Sequence, residues 1–172
     1  MQAVADLVAQ FVVGDTEALL RGQREHADLA LVHVVMHLER GLAGFDAGSF
    51  DYVILSQTLQ AVRHTEEIVL DILRVGRQGI VTFPNFGHWR VRASLTFRGR
   101  MPVTKTLGHY WYDTPNIHLC TIADFRALVR DCGAHIEKAL ALTGDGRTTP
   151  MSPDAWGPNL FAEGAIFLLA KK

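Results

Sequence analysis

Very little in this chain is extreme, and each absence removes a class of protein. Two cysteines, Cys120 and Cys132, lie apart with no pairing pattern, which excludes a disulfide framework and fits free thiols in a reducing compartment. Neither sign of charge dominates, with 17 Lys plus Arg against 18 Asp plus Glu and a formal net charge of −1. No global attraction to nucleic acid or to an anionic membrane surface follows, so neither is expected as a partner. Apolar runs stay well below the roughly 20 residues that a membrane helix needs. Asp6 stands where a signal peptide would carry its positive flank, so the expectation is a cytoplasmic chain. Internal repeats and low-complexity tracts are also missing.

What the chain does have is a hydrophobic content of 48% in 172 residues, enough for the core of one domain. Phe50 to Ser56 reads as a buried, central strand entering on Asp51. Thr65 is the expected N-cap of the next helix, with Glu66 and Glu67 at its positive end and Ile68, Leu70, Ile72, Leu73 and Val75 on its apolar stripe up to Gly76. Gly79 to Phe83 then gives a second strand, which makes one strand-helix-strand unit of the parallel type. Further on, Thr121 and Asp124 have the spacing of a capping box, opening a helix from Ile122 to Cys132 that Gly133 ends. Ala134 to Leu142 and Gly164 to Ala170 read as a terminal antiparallel pair, joined by a mobile connection from Thr143 to Glu163. At the N-terminus, Val4, Leu7, Val8, Phe11 and Val12 follow helical spacing, while Leu29 to Met36 reads as a buried strand.

Between the second strand and the capped helix, residues 84–119 show no clean period and concentrate aromatic and hydrogen-bonding groups. An elaborated loop with short helical pieces is expected, and such loops carry function. His88, Trp89 and Arg90, with Asn85 before them and Tyr110, Trp111, Tyr112, Asn116 and His118 after, are the candidate partner or substrate surface, because aromatics and Arg dominate interface hot spots. The alternative is a lid whose rings complete the core. Arg90, Arg92, Arg98 and Arg100 invite a phosphate-binding reading, but Leu95, Phe97 and Met101 among them favour an amphipathic segment with a solvated basic face. No metal site is expected: His33 and His37 stand four apart without a following Glu, in a stretch that reads as strand. Cys132 and His135 read as packing residues, since a helix C-terminus raises a thiol pKa.

The strings FDYVILSQTLQ from Phe50, FPNFGHWRVR from Phe83, GRMPVT from Gly99 and WYDTPNIHLCTI from Trp111 resemble the MetW family, in its order and at natural spacing across Gly41 to Leu142. This resemblance implies an α/β, Rossmann-like class I methyltransferase fold with a mostly parallel sheet that ends in an antiparallel hairpin. It implies one domain: a degenerate part over 1–40, the core over 41–142, and a loop with the last strand over 143–172. A role in methionine biosynthesis beside a MetX-type homoserine O-acyltransferase comes with it. So does S-adenosylmethionine, but the family's glycine-rich turn of the form LDLGCGDG, which lets backbone amides approach that cofactor, has no counterpart here. Gly14 and Asp15, with Glu17, are its only remnant, and Ser56 and Gln57 at a strand end are the surviving candidates for a cofactor wall. The expectation is therefore an auxiliary, noncatalytic protein with an incomplete N-terminal side, an S-adenosylmethionine-dependent methyltransferase being the alternative. A sheet lacking a strand beside its cleft exposes an edge, so a homo-oligomer is a further expectation.

Overall fold

The computed structural model describes residues 42–104, 107–152 and 154–172. The expected N-terminal helix, the strand over Leu29 to Met36, the Gly14–Asp15 turn and the His33–His37 pair all lie outside them. The strand-helix-strand unit forms as the pattern demands. β1 (Phe50–Ser56) runs parallel to β2 (Gly76–Pro84), with Tyr52 opposite Gln78, Ile54 opposite Ile80 and Ser56 opposite Thr82. Between them lies α1 (Thr65–Val75). β2 begins earlier than Gly79 because Gly76 caps α1 and enters the strand at once.

Two details of α1 differ from expectation. The N-cap is His64, without a side-chain bond to the helix. Thr65 is the first helical residue, and its hydroxyl donates to Val62 O at 3.5 Å instead. Leu70 is exposed, whereas Val69 is fully buried, because the buried face runs through Ile68, Val69, Ile72, Leu73 and Val75. That stripe lies on β2 so closely that a Cβ at Gly79 would stand 2.6 Å from Ile72 Cγ2.

The loop beyond β2 holds a short helix, α2 (Trp89–Ala93), which continues into a π-helical turn over Ser94–Arg98. α3 (Ile122–Asp131) starts with the predicted capping box: Thr121 Oγ1 accepts from Asp124 N at 3.1 Å, and Asp124 Oδ2 accepts from Thr121 N at 3.2 Å. It ends where Gly133 takes a φ of 67°, a left-handed turn that favours glycine. β3 (Ala134–Leu142) and β5 (Gly164–Lys171) pair antiparallel as expected. Their connection carries structure of its own: β4 (Thr148–Pro150) pairs with the end of β3, and α4 is Gly157–Phe161.

The sheet order is β1-β2-β5-β3-β4. β5 reaches the middle by pairing antiparallel with both β2 and β3, so among the described residues only β1 and β2 run parallel. β1 was expected at the centre; within the described residues it is one of the two edge strands, with only Leu55 buried. The core gathers one ring from each of three elements: Phe83 of β2, Phe125 of α3 and Phe167 of β5, with centroids 4.8, 4.9 and 5.9 Å apart. Such pairs each add about 0.5–1.5 kcal/mol beyond the area they bury.

Candidate functional site

Ligands of open α/β sheets gather at the carboxyl ends of the parallel strands, and β1 and β2 end in a cleft here. Directly after Ser56 the backbone turns through Gln57 at a φ of 48°, an uncommon conformation for a residue with a Cβ. The turn is held from the neighbouring strand, since Gln57 N donates to Thr82 O at 3.0 Å and to Thr82 Oγ1 at 3.1 Å. A 3-10 turn over Leu59–Ala61 follows, burying Leu59 and Gln60. The far end of the aromatic loop then returns to it, with Ile117 N and His118 N both donating to Gln60 O, at 2.8 and 3.0 Å. The space enclosed is about 310 Å³ and is lined by Gln57, Gln60, Phe86, Trp111, Asn116 and Leu119 among others.

The expected site residues divide between this cleft and other tasks. Gln57 lines the cleft, whereas Ser56 Oγ is engaged by the Thr82 hydroxyl at 3.4 Å. Gly14 and Asp15 lie outside the described residues. Asn85, expected at the partner or substrate surface, is buried as a brace: Nδ2 donates to Asn159 O and Ala162 O at 3.0 and 2.8 Å. Its Oδ1 accepts from Gly87 N at 2.8 Å and Ile122 N at 3.4 Å, so both ends of the amide are spent on the chain itself. His88 is buried too; its Nδ1 accepts from Arg90 N at 3.3 Å as the N-cap of α2, and burial pushes its pKa down. Asn116 and Trp111 do reach the cleft, while His118 is exposed, with Nε2 3.4 Å from Arg63 O.

Tyr110, Trp111 and Tyr112 remain in solvent, Trp111 being 73% exposed. They hold one another, Tyr110 and Tyr112 stacked at 5.5 Å and Trp111 edge-on to Tyr112 at 5.6 Å. The reading of these rings as a lid that completes the core therefore fails for all three. Trp89 and Arg90 line a second, shallower groove of about 650 Å³ with Phe97, Arg98 and Arg100, and the Arg90 guanidinium sits over the Trp89 ring at 5.4 Å. The expected amphipathic packing of Leu95, Phe97 and Met101 is not found. The π-helical turn buries none of its residues, and Phe97 is 86% exposed. Leu95 and Phe97 stand two apart, a spacing that puts no two helical residues on one face, and Met101 lies beyond the turn.

The titratable groups offer no activated nucleophile among the described residues. Burial, then the Asp124 charge, pushes the Cys120 thiol up to about 12, and burial with Glu66 and Asp131 raises Cys132 as well. No three His, Cys, Asp or Glu side chains converge as a metal site among the described residues. Nor does any Asp or Glu among them line the cleft, so nothing described there holds the ribose hydroxyls of S-adenosylmethionine, and the described residues do not by themselves fit that cofactor. Gln60 is one of several cleft residues that sequence reasoning did not single out, Phe86, His109, Thr114 and Leu119 being others. The only signal for Gln60 was position, shortly beyond the end of β1 inside FDYVILSQTLQ.

A family model described as methionine biosynthesis protein MetW matches residues 26–169. The bifunctional methionine biosynthesis protein MetXA/MetW of Rhodopirellula baltica is 39% identical over 132 residues, which cover 75% of this chain and 20% of that one. This chain thus spans about a fifth of that relative's length. Among solved structures, a SAM-dependent methyltransferase of Thermotoga maritima, a possible histamine N-methyltransferase, superposes with a TM-score of 0.51 at 13% identity, covering 74% of this chain and 58% of its own. That likeness establishes the fold: a mixed α/β sheet of the Rossmann-like class I methyltransferase type.

Proposed function

Because the chain belongs to the MetW family of methionine biosynthesis proteins, we propose that it works as a noncatalytic partner of a MetX-type homoserine O-acyltransferase and docks through its aromatic loop. The observation that carries this reading is the Rhodopirellula baltica relative, whose name joins MetXA and MetW in one bifunctional chain. Covalent linkage raises effective concentration, an advantage that matters only for parts that work together. The exposed cluster of Tyr110, Trp111 and Tyr112 supplies rigid aromatic anchors of the kind that dominate hot spots. Coexpression with the acyltransferase followed by affinity capture tests the pairing. Capture is expected from wild type and lost in Trp111→Ala or Trp89→Ala; undiminished capture by both variants would remove this surface from the proposal.

A second reading, an S-adenosylmethionine-dependent methyltransferase, draws on the fold likeness alone. Calorimetry against S-adenosylmethionine and S-adenosylhomocysteine separates the two. Micromolar binding would put the methyltransferase first, and no heat from a folded sample would leave the partner reading in front.

A further inference from the structure

The second groove, beside α2, gathers positive charge and apolar surface in one place. Its lining includes Arg90, Arg98 and Arg100 together with Trp89, Phe97 and Met101, around a space of about 650 Å³. The segment from 86 to 112 carries Arg90, Arg92, Arg98, Arg100 and Lys105 and no Asp or Glu, so no carboxylate of its own offsets their mutual repulsion.

Local bonds fix this arrangement. Ser94 Oγ donates to Arg100 O at 3.0 Å, which folds the chain after Gly99 back onto the π-helical turn. Gly99 takes a left-handed φ of 60° to make that reversal, and its N–H donates to Leu95 O at 3.1 Å. On α2 the stacking of the Arg90 guanidinium over the Trp89 ring, at 5.4 Å, holds a long cationic side chain in place. Turns of the π type are rare and concentrate at functional sites. This one buries none of its residues and leaves Phe97 86% exposed.

Three kinds of anionic partner meet such a groove differently. Nucleic acid is drawn by a positive field spread over a whole molecule, and this chain's net charge is −1. A lipid surface takes projecting side chains, whereas these guanidiniums line a hollow. An acidic stretch of polypeptide fits both features: its carboxylates accept paired hydrogen bonds from guanidinium groups, and its apolar side chains cover an exposed ring.

We propose that this groove takes an acidic segment of the acyltransferase, whose carboxylates pair with Arg90, Arg98 and Arg100 while an apolar side chain covers Phe97. This rests on the pairing proposed above and adds the chemistry that the partner must present.

The test titrates the full chain against the purified acyltransferase by biolayer interferometry, at low and at physiological salt. Wild type is expected to bind, more weakly at the higher salt. Arg98 and Arg100 are both exposed, and Arg98→Glu combined with Arg100→Glu is expected to weaken binding about tenfold and to flatten the salt dependence. Phe97→Ala is expected to weaken binding at both salts alike. Of short overlapping peptides that span the acyltransferase, an acidic one is expected to compete with the whole enzyme; competition by none of them overturns the proposal. Undiminished binding by the charge-reversed variant also overturns it and leaves the pairing intact, whereas no binding by wild type overturns both. Binding of wild type to phosphatidylglycerol vesicles or to a single-stranded oligonucleotide, lost in the charge-reversed variant, would make the groove a general polyanion site and overturn the acidic segment as its occupant.

Discussion

The body of the molecule and the loop over residues 86–119 use the same aromatic residues in opposite ways. In the body, Phe83, Phe125 and Phe167 are wholly buried against one another. In the loop, Phe97, Tyr110, Trp111 and Tyr112 stand in water, and Arg90, Arg92, Arg98 and Arg100 occur with no acidic residue between 86 and 112. Regular backbone accounts for the first arrangement: alternation along β2 and β5 and the stripe of α3 turn every ring to one side. The loop has no period to aim its rings inward. Exposed aromatic rings that cluster together are the kind of surface that partners use, which is why the proposed docking surface is placed on the loop and not on the sheet.

Substitutions on either side of this divide should differ most in stability. Phe125→Ala removes the ring shared by α3 and both strands and should cost about 4 kcal/mol in urea unfolding; a loss below about 1 kcal/mol would mean that the three rings are not the core. Asn85→Ala strips donors from Asn159 O and Ala162 O and an acceptor from Gly87 N, and should cost about 3 kcal/mol. A near-neutral result would return Asn85 to the cleft. Gln57→Gly should raise stability by about 1 kcal/mol through relief of its left-handed backbone, and a fall would show that its side chain contributes more to the cleft wall than the strain costs.

The pH response is a slope and not a step. Burial lowers the pKa of His88 in the folded state, so the unfolded chain takes up a proton first as pH falls. Its contribution to stability is complete above the ordinary histidine pKa of about 6.5 and is lost as pH drops below it toward the lowered folded value. Thermal melts between pH 8 and pH 5, at about one-unit steps, should show this decline, and His88→Asn, which keeps a capping acceptor, should flatten it. An identical slope in the variant would assign the decline to other groups. Smallest of all, Trp111→Ala should shift stability by less than about 0.5 kcal/mol; a larger loss would mean that the loop rings do support the body.

Much of the body was legible before any coordinates, and for identifiable reasons. The β-branched run of β1, the glutamates opening α1 and the Thr121–Asp124 box are local signals, each complete within a few residues. The antiparallel pairing of β3 with β5 was legible as well. The candidate site was legible only as a region. Trp89, Trp111 and the tyrosines sit at exposed places, as their concentration in one loop had led us to expect, yet Asn85 and His88 from the same strings turned inward. Nothing in their neighbours announces that Asn85 will meet Asn159 and Ala162, more than seventy residues away.

Sequence alone thus placed β1, α1, α3, β3 and β5 along the chain, though not the start of β2 or the cap of α1, and it carried the family strings, because periodicity, caps and strings are read along the chain. Tertiary structure alone decided that β5 enters between β2 and β3, that Val69 and not Leu70 faces the core, and that Gln60 is buried with no partner for its side-chain oxygen among the described residues. Each of those depends on what packs against a residue from far along the chain, and burial of a polar group follows from its surroundings and not from its type.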